Sequence, residues 1–174
     1  MNMPIQRDAL PRYEYPTGET DASIRGYDAN GDSVELHEFT LDLKEGDNRL
    51  LVLVGDYEKS EYLDIRYERD EMDEANGDLD SDESKMQVLA IHAAMGEGAY
   101  DLYLSKESES FNEAQLLGNL SYMQHTQALM LDTGEYLLYL AEPGQAEPVF
   151  RTGTLILTSE TVNKLVIHNS FGPS

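Results

Sequence analysis

Two stretches of this chain recur within it. Pro16-Thr-Gly-Glu-Thr-Asp-Ala-Ser-Ile24 aligns with Asp132-Thr-Gly-Glu-Tyr-Leu-Leu-Tyr-Leu140, and Thr40-Leu-Asp-Leu-Lys-Glu-Gly-Asp-Asn-Arg-Leu-Leu-Val-Leu53 aligns with Thr154-Leu-Ile-Leu-Thr-Ser-Glu-Thr-Val-Asn-Lys-Leu-Val-Ile167. Pro16 to Asp132 is 116 positions and Thr40 to Thr154 is 114, so the copies differ by two residues, placed most simply in the turn between the matched segments. A fixed internal period constrains architecture before chemistry: the fold should contain two related units. The turns agree, because Asp28-Ala-Asn-Gly-Asp32 in the first copy stands where Glu142-Pro-Gly-Gln-Ala146 stands in the second, and both are turn sequences.

Period-two alternation dominates, and no stretch sustains a helical period over several turns, which predicts an all-β chain, an antiparallel β-sandwich of Ig-like type. Strands are expected near 20–27, 33–43, 48–55, 61–67, 86–92, 99–105, 127–131, 135–141, 149–157 and 162–169. Glu113-Ala-Gln-Leu-Leu117 fits either a helical turn or a short edge strand. The apolar runs Leu50 to Val54 and Leu165 to Ile167 read as central strands covered on both faces. Between the copies, Glu68 to Glu83 carries nine acidic residues and one Arg, too little apolar surface to offset its ordering entropy. The expected organisation is therefore a partial repeat over 1–69, an acidic linker over 70–84 and a complete repeat over 85–174.

The formal net charge of −22 excludes nucleic acid and anionic membrane surfaces as partners, since both repel such a chain. It favours cations. With no cysteine, neither a disulfide framework nor a thiolate site is available. No apolar run reaches the length of a membrane helix, and Met1 to Leu10 lacks the apolar segment of a signal peptide.

The segment Val88-Leu-Ala-Ile-His-Ala-Ala-Met-Gly-Glu-Gly-Ala-Tyr-Asp-Leu-Tyr-Leu104 resembles the start of the domain of unknown function 4397 family, whose members open with a strand, a His-Ala-Ser-Pro-like turn and an Asp-hydrophobic-Tyr-hydrophobic strand. His92-Ala93 and Asp101-Leu-Tyr103-Leu104 carry the match; Leu120-Ser-Tyr122 and Thr133-Gly134-Glu-Tyr136 continue it. The chain departs from the pattern at Met95-Gly96, where the family usually has Pro. The resemblance covers a whole unit from Lys85 to Ser174 and only the later part of one from Leu10 to Arg69, where the His-Ala and Asp-x-Tyr strands are missing. It implies a β-sandwich in an exported protein, periplasmic or at the cell surface, lipid-anchored through a leader upstream of this start, with no known activity. The incomplete first copy could complete its sheet against the second unit or in a homodimer.

Candidate chemistry is sparse. Asp78, Asp80, Asp82 and Glu83 gather enough carboxylates to share a Ca²⁺, against the plainer reading of a solvated acidic linker. Asp28-x-Asn30-x-Asp32-x-x-Glu35 has the oxygen spacing of a short Ca²⁺ loop, but Ser33 and Phe39 stand where an EF-hand needs Gly and Glu, so a hairpin turn is favoured. His37, His92, His125 and His168 show no zinc spacing; His92 and His168 end strands and are read as structural. No Gly-x-Ser-x-Gly marks a hydrolase. Tyr13, Tyr15, Tyr100, Tyr103, Tyr122, Tyr136 and Tyr139 could form a glycan-stacking face, although Tyr alternating along strands is ordinary sheet packing. The sequence thus favours a non-enzymatic module of unknown protein or glycan ligand, with a Ca²⁺-dependent adhesion module and a carbohydrate-binding module as alternatives.

Overall fold

The computed structural model describes residues 15–55, 59–67, 85–159 and 162–168. Among them the chain is all-β, with one short 3-10 turn and no α-helix. It divides into two compact units, 15–67 and 85–168, with the cut between Glu68 and Arg69.

The first unit is a pair of hairpins. Strands β1 (Gly18–Tyr27) and β2 (Ser33–Leu43) form one; β3 (Asn48–Val54) and β4 (Glu61–Tyr67) form the other. The apolar pattern of β2 changes phase in mid-strand: Val34 and Leu36 occupy even positions, Phe39, Leu41 and Leu43 odd ones. A strict pleat would turn one set to solvent. A bulge at Leu36 resolves the conflict, since Arg25 pairs with Glu35 while Ile24 pairs with His37, and the extra residue keeps both apolar sets on the half-buried face. The hairpins meet where Phe39 stacks on Tyr62 at 4.7 Å and His37 meets the same ring edge-on at 5.3 Å. Arg49 ties them further, donating to the Asp42 carbonyl and pairing with Asp64, each at 2.8 Å.

The second unit is a two-sheet β-sandwich. One sheet places β5 (Lys85–His92) between β13 (Asn163–Ile167) on one edge and β8 (Gln124–His125) and β9 (Leu129–Asp132) on the other. The second sheet runs β7 (Gln115–Leu120), β6 (Tyr100–Lys106), β10 (Gly134–Ala141), with β11 (Phe150–Arg151) and β12 (Leu155–Leu157) sharing the outer edge of β10. Met86, Val88 and Ala90 from the first sheet pack with Leu102, Leu104, Leu138 and Leu140 from the second. All pairings are antiparallel except β13 with β5, which is parallel.

The expected single strand over 149–157 is split, and so is the edge beside β5. In each case three edge residues face two on the neighbouring strand: 126–128 lie opposite Leu89 and Ala90, and 152–154 opposite Leu137 and Leu138. A buried threonine closes each gap. The Thr126 Oγ1 accepts the Ala90 N–H at 3.0 Å while Thr126 N–H donates to the Ala90 carbonyl at 2.9 Å. Thr152 makes the same two bonds with Leu138, at 3.0 and 2.9 Å. A hydroxyl thereby stands in for the missing strand carbonyl, so that neither the Ala90 nor the Leu138 amide is left without an acceptor.

Two expectations need correction. Neither 50–54 nor 165–167 is a central, doubly covered strand: β3 pairs only with β4 among the described residues, with Leu53 46 % exposed, and β13 lies at a sheet edge. Only part of each apolar run is buried, Leu50 and Val54 in one, Leu165 and Ile167 in the other. The strand buried on both faces is β5, where Val88, Leu89, Ala90 and Ile91 are all sealed from solvent. The ambiguous 113–117 segment is resolved as an edge strand, β7 from Gln115, with a 3-10 turn at Phe111–Glu113 ending on its first residue.

Candidate functional site

The register of the two units brings one strand edge to attention. Gly18 pairs with Leu43 and Thr20 with Leu41 in the first unit; Gly134 pairs with Leu157 and Tyr136 with Leu155 in the second. These are the residues that the internal alignment equates. Gly18 and Gly134 open their strands at φ 118° and 150°, conformations that a side chain resists. Strand β10 has a second neighbour, because Tyr136 to Ala141 pair with Lys106 to Asp101 of β6. The positions of β1 aligned with Tyr136 to Ala141 are Thr20 to Arg25, and among the described residues no strand pairs with them on that side.

The chemistry of this edge follows from the pleat. Asp28 N–H donates to the Asp32 carbonyl at 2.9 Å at the hairpin end, and antiparallel hydrogen bonding alternates from there. Even-numbered residues of β1 therefore bond to β2, and the N–H and C=O groups of Glu19, Asp21, Ser23 and Arg25 point away from it. The side chains of the same four residues are exposed, whereas those of Thr20, Ala22 and Ile24 are half-buried. An unpaired row of donors and acceptors beside an apolar face is a template for another strand.

In the second unit, a cleft of about 370 Å³ opens beside β5, β6 and β9, with Lys85, Lys106, Asp132 and Tyr136 among its walls. Asp132 sits between the cations, paired with Lys85 and 3.8 Å from Lys106, and the Lys85 hydrogen bond and charge hold its carboxyl below the ordinary 3.8. The Tyr136 hydroxyl donates to the Asp132 carbonyl at 2.7 Å. The lining is mainly polar, with Glu109, Glu113 and Gln115 beside the two lysines and Asp132, while Leu104, Met130 and Leu131 supply its smaller apolar part.

The sequence-predicted sites fare unequally. Asp78, Asp80, Asp82 and Glu83 lie outside the described residues. Among those described, no group of three or more His, Asp or Glu is placed to hold a metal ion. In the 28–35 loop, the Asp28 carboxylate accepts the N–H groups of Asn30 and Asp32 at 2.8 and 2.9 Å, and these bonds lower its pKa. Gly31 at φ 86° completes a tight turn. The carboxylate is thus engaged by its own backbone, as a hairpin turn requires.

His92 is completely buried and fixes the turn that follows β5. Its Nε2–H donates to the Gly98 carbonyl at 2.9 Å and its Nδ1 accepts the Ala94 N–H at 3.3 Å; this geometry assigns the tautomer. The ring stacks on Tyr100 at 5.5 Å. His37 bonds to the Ser60 hydroxyl at 3.1 Å, and His125 to the Thr126 carbonyl at 2.7 Å. His168 is half-buried beyond β13.

The tyrosines are dispersed. Tyr100, Tyr136 and Tyr139 are buried, Tyr103 and Tyr122 half-buried, and Tyr15 and Tyr27 exposed; Tyr13 lies outside the described residues. Tyr103 and Tyr139 are roofed by Phe111, at 5.2 and 5.1 Å, which closes that face to a stacking sugar. The Tyr100 hydroxyl donates to Glu97 at 2.9 Å, and burial, then that bond, push its pKa up to about 12 from 10.0. Because the native state favours the protonated phenol, its stabilisation is whole below pH 10.0 and is lost as pH rises through about 12. Tyr100→Phe is expected to abolish one absorbance step near pH 12 in an alkaline titration; an unchanged titration would refute the assignment.

No family model, no curated protein and no solved structure matches this chain.

Proposed function

We propose that this chain is a non-enzymatic interaction module that takes a partner strand along the outward edge of β1. One observation carries the reading: over three residue pairs β1 repeats the register of β10 with β12, but the side of β10 occupied by β6 has no strand on it in the first unit among the described residues. Strand addition suits such a site, because main-chain bonds supply affinity and exposed alternate side chains supply selectivity. Three of the described titratable groups serve the fold: His92 holds a turn, Asp28 a hairpin, and Asp132 pairs with two lysines. An exported, cell-envelope setting belongs to the same proposal and is supported by the family resemblance alone.

Hydrogen exchange in dilute solution tests the reading. The amides of Asp21, Ser23 and Arg25 are expected to exchange far faster than those of Thr20, Ala22 and Ile24 on the same strand. Equal protection of both sets at high dilution would mean that the edge is already closed within the chain, and would overturn the proposal.

A further inference from the structure

We infer that the strand taken up by β1 is β1 of a second copy, running antiparallel about a two-fold axis at Ala22. This rests on the strand-addition reading above and names the partner. The outward-facing groups are those of odd-numbered residues, so an isologous pairing must set odd residues opposite odd ones. Centring on Asp21 would oppose two Asp21 carboxylates, and centring on Thr20 would oppose Glu19 to Asp21. Centring on Ala22 places Arg25 of each copy opposite Glu19 of the other and Asp21 opposite Ser23, which gives two cross-strand ion pairs and no like charges directly opposite. A register centred on Ser23 would instead bring Arg25 to Asp21, but the Asp21 carboxylate already accepts the Thr40 hydroxyl at 2.8 Å. Glu19 is exposed and has no such bond among the described residues. Arg25 is the single cation on β1, 58 % exposed and only 4.0 Å from Glu35 at its closest, so it is at liberty to turn across the edge.

The Ala22 register also joins the half-buried faces. Thr20 meets Ile24 and Ala22 meets its own copy, extending each two-stranded hairpin into a four-stranded sheet with one continuous apolar side. Long-range repulsion between two chains of charge −22 opposes association. Salt should therefore strengthen it, since a Debye length of about 3 Å at about 1 M screens distant charges while leaving main-chain bonds intact.

Light scattering on a sizing column, at low and high salt and over a range of concentrations, tests the inference. The expected molar mass rises toward twice 19.6 kDa, most readily at high salt. Arg25→Glu, which sets like charges opposite one another, and Ser23→Pro, which removes one outward N–H and spares the bonds to β2, are each expected to return the mass to 19.6 kDa with unchanged circular dichroism. A wild-type mass of 19.6 kDa under all conditions overturns the inference. If the outward amides then exchange rapidly, the open edge survives and its partner is another protein; if they are protected, the edge reading falls too. A dimer that persists in both variants also overturns the inference.

Discussion

Replacing Thr126 and Thr152 together by Val is expected to lower the free energy of unfolding by about 2–6 kcal/mol, about 1–3 from each site. Valine preserves shape and burial, so the loss isolates the hydroxyl. Without it the Ala90 and Leu138 amides, both within strands buried in the sandwich, keep their positions opposite bulged edges and have no acceptor. The two sites lie on different sheets and share no hydrogen-bond partner, so their effects should add. Chemical denaturation of the wild type, both single variants and the double variant measures this directly. A double variant within 0.5 kcal/mol of wild type, on the order of the change at an ordinary surface site, would show that the hydroxyls are not the acceptors.

His92→Ala should cost about 4 kcal/mol, a sum of cavity formation and of the lost partner for a buried carbonyl. The ring supplies three things at once: the bond to Gly98, the acceptor for Ala94 and the stack on Tyr100. His92→Gln retains a donor and an acceptor but not the flat ring, and it should recover part of the loss. Thermal unfolding of both variants separates the bonds from the packing. Equal destabilisation by Ala and Gln would place the whole effect in the stack.

Much of this fold was legible because burial here is written in alternate residues. The strands expected over 20–27, 33–43, 48–55, 61–67, 86–92, 99–105 and 135–141 occur within a residue or two of those limits. What was not legible depends on the third dimension. The splits after His125 and Arg151 were not legible, since Thr126 and Thr152 replace backbone bonds with side-chain ones. A matched signal was nonetheless present, in His125-Thr-Gln-Ala-Leu129 and Arg151-Thr-Gly-Thr-Leu155. Apolar runs at 50–54 and 165–167 suggested central strands because length and hydrophobicity do not say how many neighbours a strand has; β5 shows that the doubly buried strand was the run at 88–91. The tyrosines likewise alternate whether they face solvent or a roof such as Phe111. The internal alignment pointed to β1 as the counterpart of β10, while the side of β1 that lacks a partner among the described residues emerged only from the pairing of β10 with β6.

The absence of native cysteine makes one measurement especially direct. Ala22→Cys places a single thiol on the proposed two-fold axis, where facing residues of a non-hydrogen-bonded pair have Cα atoms about 4.5 Å apart, within disulfide reach. Mild oxidation is expected to convert Ala22→Cys into a covalent dimer much faster than the exposed control Glu147→Cys. Cross-linking of Ala22→Cys no faster than that control would contradict the paired β1 edge.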